Sequence, residues 1–178
     1  MAESLPQYVL VVDSLRVTDA FSTATIHGNH WSFLYARTDW QVQQQNSPAC
    51  ITVTPNDSIW EQWQTDPLWA SSAVLFEFEF ATSKSDIIDT IQKLITVRSE
   101  DGRLFLLRFY SPNTLSFLMK NLDDEAKSTL LGAANAAITS ANGTISRTLT
   151  RYENPSINVA FTDTDLVLNN QLVEAIFQ

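Results

Sequence analysis

Ala73-Val74-Leu75-Phe76-Glu77-Phe78-Glu79-Phe80 is the stretch whose reading decides the fold. Its period of two predicts a β-strand over 73–80, with Phe76, Phe78 and Phe80 on one face and Glu77 and Glu79 on the other. Two carboxylates on one strand face, roughly 7 Å apart by strand rise, have a spacing that glycoside hydrolysis also uses. Alternation with three phenylalanines is explained more simply by the wet face of a half-exposed strand.

Outward from this strand the chain changes period repeatedly. Gln7-Tyr8-Val9-Leu10-Val11-Val12-Asp13 and Cys50-Ile51-Thr52-Val53-Thr54 are short β-branched runs bracketed by prolines or serine, and read as strands. Asn56 or Asp57 caps a short helix carrying Ile59, Trp60 and Trp63. After Ser83 or Ser85, the stripe Ile87, Ile88, Ile91, Leu94, Ile95 predicts a helix reaching Arg98, whose charge suits the helix C-terminus. The polar turn Ser99-Glu100-Asp101-Gly102 leads into a predicted strand over 103–110. Ser111-Pro112 opens a further helix, with Pro at the first helical position. Another helix is predicted from Asp123 to Ile138, then an irregular connection with one strand near Ile145–Arg151, and a helical tail from Asp163 to Phe177. The expected class is α/β, with α+β as the alternative: one mixed β-sheet packed by helices, with a helical C-terminal part. Residues 1–138 form the α/β domain and 139–178 the connection and C-terminal helical segment.

Eleven Lys plus Arg against twenty Asp plus Glu give a net charge of −9. The seven arginines and four lysines are scattered, without the basic stripe that phosphate neutralisation requires, so neither nucleic acid nor an anionic membrane is expected as a partner. One cysteine, an acidic N-terminus and the lack of a long apolar run lead to the expectation of a cytoplasmic protein.

Four glycines, at positions 28, 102, 132 and 143, supply no phosphate-cradling loop. His27 and His30 sit close enough to share a metal, but no third ligand or general base accompanies them, so a hydrogen-bonded loop pair is the simpler reading. Cys50 reads as a buried small hydrophobe rather than a nucleophile. No catalytic residue, metal or cofactor is expected. Trp60, Trp63 and Trp69 are either core or the lining of a groove for a peptide partner.

The run Ile91-Gln92-Lys93-Leu94-Ile95-Thr96-Val97-Arg98-Ser99-Glu100-Asp101-Gly102-Arg103-Leu104-Phe105-Leu106-Leu107-Arg108-Phe109-Tyr110-Ser111-Pro112-Asn113-Thr114-Leu115 is more specific. It resembles the type VI secretion effector adaptor-chaperone family: a helix ending in a basic residue, a D-G turn, then R-F-Y-[DS]-P-x-x-L. Tyr8–Asp13 resembles that family's opening strand and Ser47-Pro48-Ala49-Cys50-Ile51 its second, so the resemblance spans about residues 7–135. Trp69-Ala70-Ser71-Ser72 stands where the family usually has a Trp-Gly pair.

The resemblance implies a non-enzymatic adaptor that holds an effector protein, near the effector's N-terminal region, and helps attach it to the valine–glycine-repeat spike protein (VgrG). Asp13, Arg98, Arg108, Tyr110 and Pro112 are its motif positions here, and Trp60, Trp63, Trp69, Arg108 and Tyr110 the candidate partner-binding residues. Arg108, placed on a strand covered on both sides, needs a carboxylate, and Asp13 is the candidate; a direct grip on effector is the alternative role. A cytoplasmic immunity protein that neutralises a toxin, and a small hydrolase, are the competing functions.

Overall fold

The computed structural model describes residues 4–140, 148–156 and 165–177. In chain order the elements are β1 (Gln7–Val12), α1 (Ala20–Ile26), β2 (Trp31–Phe33), a 3-10 segment (Gln41–Asn46), β3 (Ala49–Val53), α2 (Ser58–Thr65), α3 (Pro67–Ala70), β4 (Ala73–Phe78) and α4 (Lys84–Gln92). A 3-10 turn (Lys93–Ile95), β5 (Thr96–Ser99), β6 (Leu104–Leu106), α5 (Pro112–Asn121), α6 (Asp124–Leu131), β7 (Ala136–Ser140), β8 (Leu149–Glu153), β9 (Val167–Leu168) and α7 (Asn170–Phe177) follow. The mixed α/β class holds, but the strands form two sheets rather than one. The main sheet is antiparallel in the order β2-β3-β1-β4-β7-β8, and a small mixed sheet has the order β6-β5-β9.

Strand alternation feeds two cores. Val9, Val11, Val74, Phe76 and Phe78 point to the side covered by α4–α7 and the small sheet. Leu10, Val12, Ile51, Val53 and Leu75 point to the side carrying α1, α2 and α3. Local chemistry starts several helices where the sequence suggests: Asp57 accepts from Trp60 N–H at 2.8 Å, Ser83 from Asp86 N–H at 3.1 Å, and Asp123 from Ala126 N–H at 2.8 Å.

All six residues of β4 are buried, so the expectation of a wet glutamate face is corrected. Glu77 is 8% exposed, whereas Phe80, beyond the strand end, is 62% exposed. Glu77 accepts two hydrogen bonds from Arg151, Nη1 to Oε2 at 2.8 Å and Nη2 to Oε1 at 2.7 Å. Arg151 lies two strands away on β8. In the register Glu77 faces Ala136 and Ala136 faces Glu153, and the small Ala136 side chain leaves the guanidinium room to cross β7.

Other boundaries move for physical reasons. The predicted helix to Arg98 stops at Gln92, because Ile95-Thr96-Val97 is a β-branched run that pairs with β6, leaving Arg98 in β5 rather than at a helix end. The strand predicted over 103–110 is confined to Leu104–Leu106 and sits at an edge, not in a doubly covered centre; Leu104 is 55% exposed. The helix predicted to Ile138 ends at Gly132, which has φ +53° and where an added Cβ would meet Lys93 Nζ at 2.9 Å. Ala136–Ser140 then pairs with β4 as β7, and β8 with β7, so the sheet continues across position 138/139. Of the strand expected near Ile145–Arg151, residues 145–147 lie outside the described residues, and β8 begins at Leu149. Of the predicted tail helix, Asp163 and Thr164 lie outside them too; β9 precedes α7.

Replacing Glu77 with Gln removes the buried carboxylate and leaves Arg151 only its pairing with the exposed Glu153, and is expected to cost about 2 kcal/mol of stability in urea denaturation at pH 7, less than a wholly buried pair because Arg151 is partly exposed and keeps that second partner. Hydrogen bonds from Arg151 hold the Glu77 carboxyl below its ordinary value despite burial. Its contribution is therefore present above the ordinary carboxylate value and is lost as pH falls through the lowered one. The gap between wild type and Glu77→Gln should narrow in acid; a gap independent of pH would rule the ion pair out as its source.

Candidate functional site

β1 delivers Asp13 just beyond its last residue. Asp13 is 5% exposed; its N–H donates to Ser72 O at 2.8 Å and its Oδ1 accepts the Leu15 N–H at 3.0 Å. Its Oδ2 accepts a hydrogen bond from Arg108 Nη2, the pairing expected from the sequence. Arg108 reaches it from the loop between β6 and α5, with more than half of its side chain in solvent. The next residues turn tightly, Ser111 N–H donating to Arg108 O at 2.9 Å, and Pro112 begins α5. That turn sends Phe109 into the core against Phe76, with centroids 5.9 Å apart, and Tyr110 toward Tyr35.

Tyr110 and Tyr35 are both buried. Burial raises the Tyr110 hydroxyl above its ordinary value, with Tyr35 and Asp13 adding and Arg108 opposing. Burial likewise raises Tyr35, with the neighbouring Tyr110 hydroxyl opposing. Both phenols stay protonated at neutral pH. Asp13, Arg108, Tyr110 and Tyr35 thus form a clamp joining the end of β1, the β2–β3 connection and the entry to α5.

The remaining sequence-named residues lie elsewhere. Arg98 pairs with Asp165 at 3.1 Å on an exposed face of the small sheet. Trp60, Trp63 and Trp69 are 8%, 0% and 1% exposed, packed on the opposite side of the main sheet, so they form core and no groove surface.

A groove of about 370 Å³ runs between α4 and the β2-β3-β1 side of the main sheet, lined by Val9, Phe33, Cys50, Ile87, Ile88 and Ile91, with His30 and Lys84 among its polar members. Ile88, expected in the buried stripe, is 49% exposed. On the other face of β2, the side carrying α1, Phe21 of α1 meets Trp31 and Phe33 at centroid distances of 4.8 and 4.9 Å, all three rings half-buried. β2 is an edge strand. His30 O accepts Thr52 N–H at 2.9 Å and Leu34 N–H donates to Pro48 O at 3.0 Å, so even-numbered residues bond β3 and the Trp31 peptide groups face the open edge. Sequence reasoning missed Phe21, Trp31 and Phe33. The only signal was the alternation Trp31-Ser32-Phe33, three residues long.

Cys50 lines this groove, and burial pushes its thiol up to about 12, which removes it as a nucleophile at neutral pH. Among the described residues no group of three or more His, Cys, Asp or Glu is placed to hold a metal ion, and no helix is long and apolar enough to cross a membrane.

The fold and site define a layered α/β protein on an open antiparallel sheet, with a structural Arg–Asp–Tyr clamp at one strand end and an apolar groove at one edge. The family model described as a domain of unknown function, DUF4123, matches residues 8–129. The chain belongs to this family, which is associated with type VI secretion effector adaptors. No curated protein and no solved structure matches it.

Arg108→Ala leaves the Asp13 carboxylate buried without its cation and is expected to cost about 1–2 kcal/mol. That corresponds to a Tm lower by about 2–8 °C for a domain of this size. A normally stable variant that loses only partner binding would transfer Arg108 from the clamp to the docking surface. Cys50, half-buried in the groove wall, should react slowly with a disulfide reagent at pH 8 in the native protein and faster on unfolding; fast native labelling would contradict its raised thiol.

Proposed function

We propose that this protein is a non-enzymatic adaptor that binds a type VI secretion effector and helps load it onto the spike protein. Family membership supports the pathway. The observation that carries the docking role is the apolar groove beside an open sheet edge bearing half-buried aromatics. Such an edge accepts an extended segment by main-chain hydrogen bonds, while the neighbouring pockets take alternate side chains. A strand added to that edge would send alternate side chains to the groove on one face and to Phe21, Trp31 and Phe33 on the other, where aromatic rings supply contact area. In this reading the effector presents a segment near its N-terminus to β2 and α4, the acidic protein stays in the cytoplasm, and neither nucleic acid nor membrane takes part.

The test is co-purification of the tagged protein from its own cells, followed by binding of the recovered effector to the variants Ile88→Glu and Trp31→Ala. Recovery of an effector together with the spike, and at least about tenfold weaker effector binding by both variants with little change in Tm, is the expected result. Recovery of a toxin's catalytic domain without the spike would replace this reading with immunity.

A further inference from the structure

The two edges of the main sheet differ in how they meet solvent. β8, at one edge, exposes Thr150, Arg151 and Glu153, with Arg151 and Glu153 paired to each other. Charge of this kind discourages a further strand from adding. β2, at the other edge, reads Trp31-Ser32-Phe33, with no charge, no proline and no bulge in its pairing with β3. Trp31 N–H, Trp31 O and Phe33 N–H find no hydrogen-bond partner among the described residues, whereas Phe33 O accepts Ala36 N–H at 3.2 Å. β2 therefore offers three backbone groups to an incoming strand.

Those groups fix the register. The main sheet is antiparallel throughout, and antiparallel pairs are the slightly more stable kind. In that sense one incoming residue exchanges two hydrogen bonds with Trp31, and the residue two before it accepts from Phe33 N–H. Along the incoming strand, residues one and three lie opposite Phe33 and Trp31, on the side of Phe21. Residues two and four lie opposite Ser32 and His30, on the groove face. Residue two passes over the small Ser32 side chain toward Cys50, Ile88 and Ile91.

Residue four meets a different end of the groove. α4 begins at Lys84, near Gln7, whose Nε2 donates to Thr82 O at 2.9 Å, and ends at Gln92, whose Nε2 donates to Leu34 O at 3.1 Å. α4 thus runs alongside β2 in the same direction, with Lys84 at the His30 end. In a chain of net charge −9, no carboxylate among the described residues lines this groove. Lys84 lines it and pairs with no carboxylate among the described residues.

We propose that β2 and α4 take an antiparallel segment of three apolar residues followed by an acidic one, with the acid toward Lys84 and His30. The docking surface is that of the adaptor reading, on which this segment depends; its direction and charge are new. Residues one and three pack on the Phe21, Trp31 and Phe33 rings, residue two fills the groove, and the carboxylate meets the cationic end. An acid at the other end of the segment would lie by Leu34 and Gln92, away from that charge.

The experiment uses the full chain and capped hexapeptides, following the Trp31, Phe33 and Thr150 amide signals by NMR at constant ionic strength. The probes are Ser-Val-Leu-Val-Glu-Ser, its reverse Ser-Glu-Val-Leu-Val-Ser, and forward versions with glutamine or lysine in place of the glutamate. Saturable shifts at Trp31 and Phe33 but not at Thr150 are expected. The first peptide should bind about three- to fivefold tighter than its reverse or its glutamine form, as suits a partly exposed ion pair. Lys84→Glu, an acid at the start of a helix, should leave Tm unchanged or higher and turn the preference toward the lysine form. Equal affinity for all the peptides, or a tighter reverse peptide, would overturn the direction and charge while leaving the groove a docking surface. Silent Trp31 and Phe33 amides with every peptide would overturn the segment as well. Effector co-purification, which needs no peptide, decides the adaptor reading separately.

Discussion

The structure depends on the covering of β4 from both sides. A strand whose six residues are all buried has to have apolar material on each face, and the chain meets this with α1–α3 on one side and α4–α7 with the small sheet on the other. The tryptophans of α2 and α3 follow from that constraint: Trp63 and Trp69 are the largest fully buried side chains on their side. So does the Glu77–Arg151 pair. A carboxylate in a covered strand requires a cation, and the nearest strand able to supply one without filling the core is two positions away, over Ala136.

The family motif acquires a physical meaning in this frame. Its arginine and tyrosine belong to a tight loop that must hold α5 against the end of β1, and the Asp13 carboxylate fixes that loop by a charge-assisted hydrogen bond. Phe109, between them, is fully buried against Phe76. The motif is therefore a joint between the main sheet and the helices that cover it. The apolar groove lies apart from it, at the β2 edge.

Legibility in the sequence followed burial geometry. β1, β3 and β4 were readable because central strands carry β-branched and aromatic residues in uninterrupted runs, and α2, α4 and α6 because side-chain caps mark their starts. β2 and β9 were not, being three and two residues long, too short for any period to show. Ala136–Ile138 read as the continuation of a helix because alanine favours helix locally; pairing with β4 overrides that preference.

By itself the sequence determined the mixed class, the central strands, the helix starts and the Asp13–Arg108 partnership, since each rests on residues whose local chemistry allows few alternatives. Tertiary structure alone decided that Glu77 is buried and paired, that the tryptophans are core, and that Phe21, Trp31 and Phe33 gather at an open edge. Those outcomes depend on contacts between residues far apart in the chain, Glu77 with Arg151 and Phe21 with Phe33 among them. Periodicity records which way a side chain points along its own element, and is silent about what another element places opposite it.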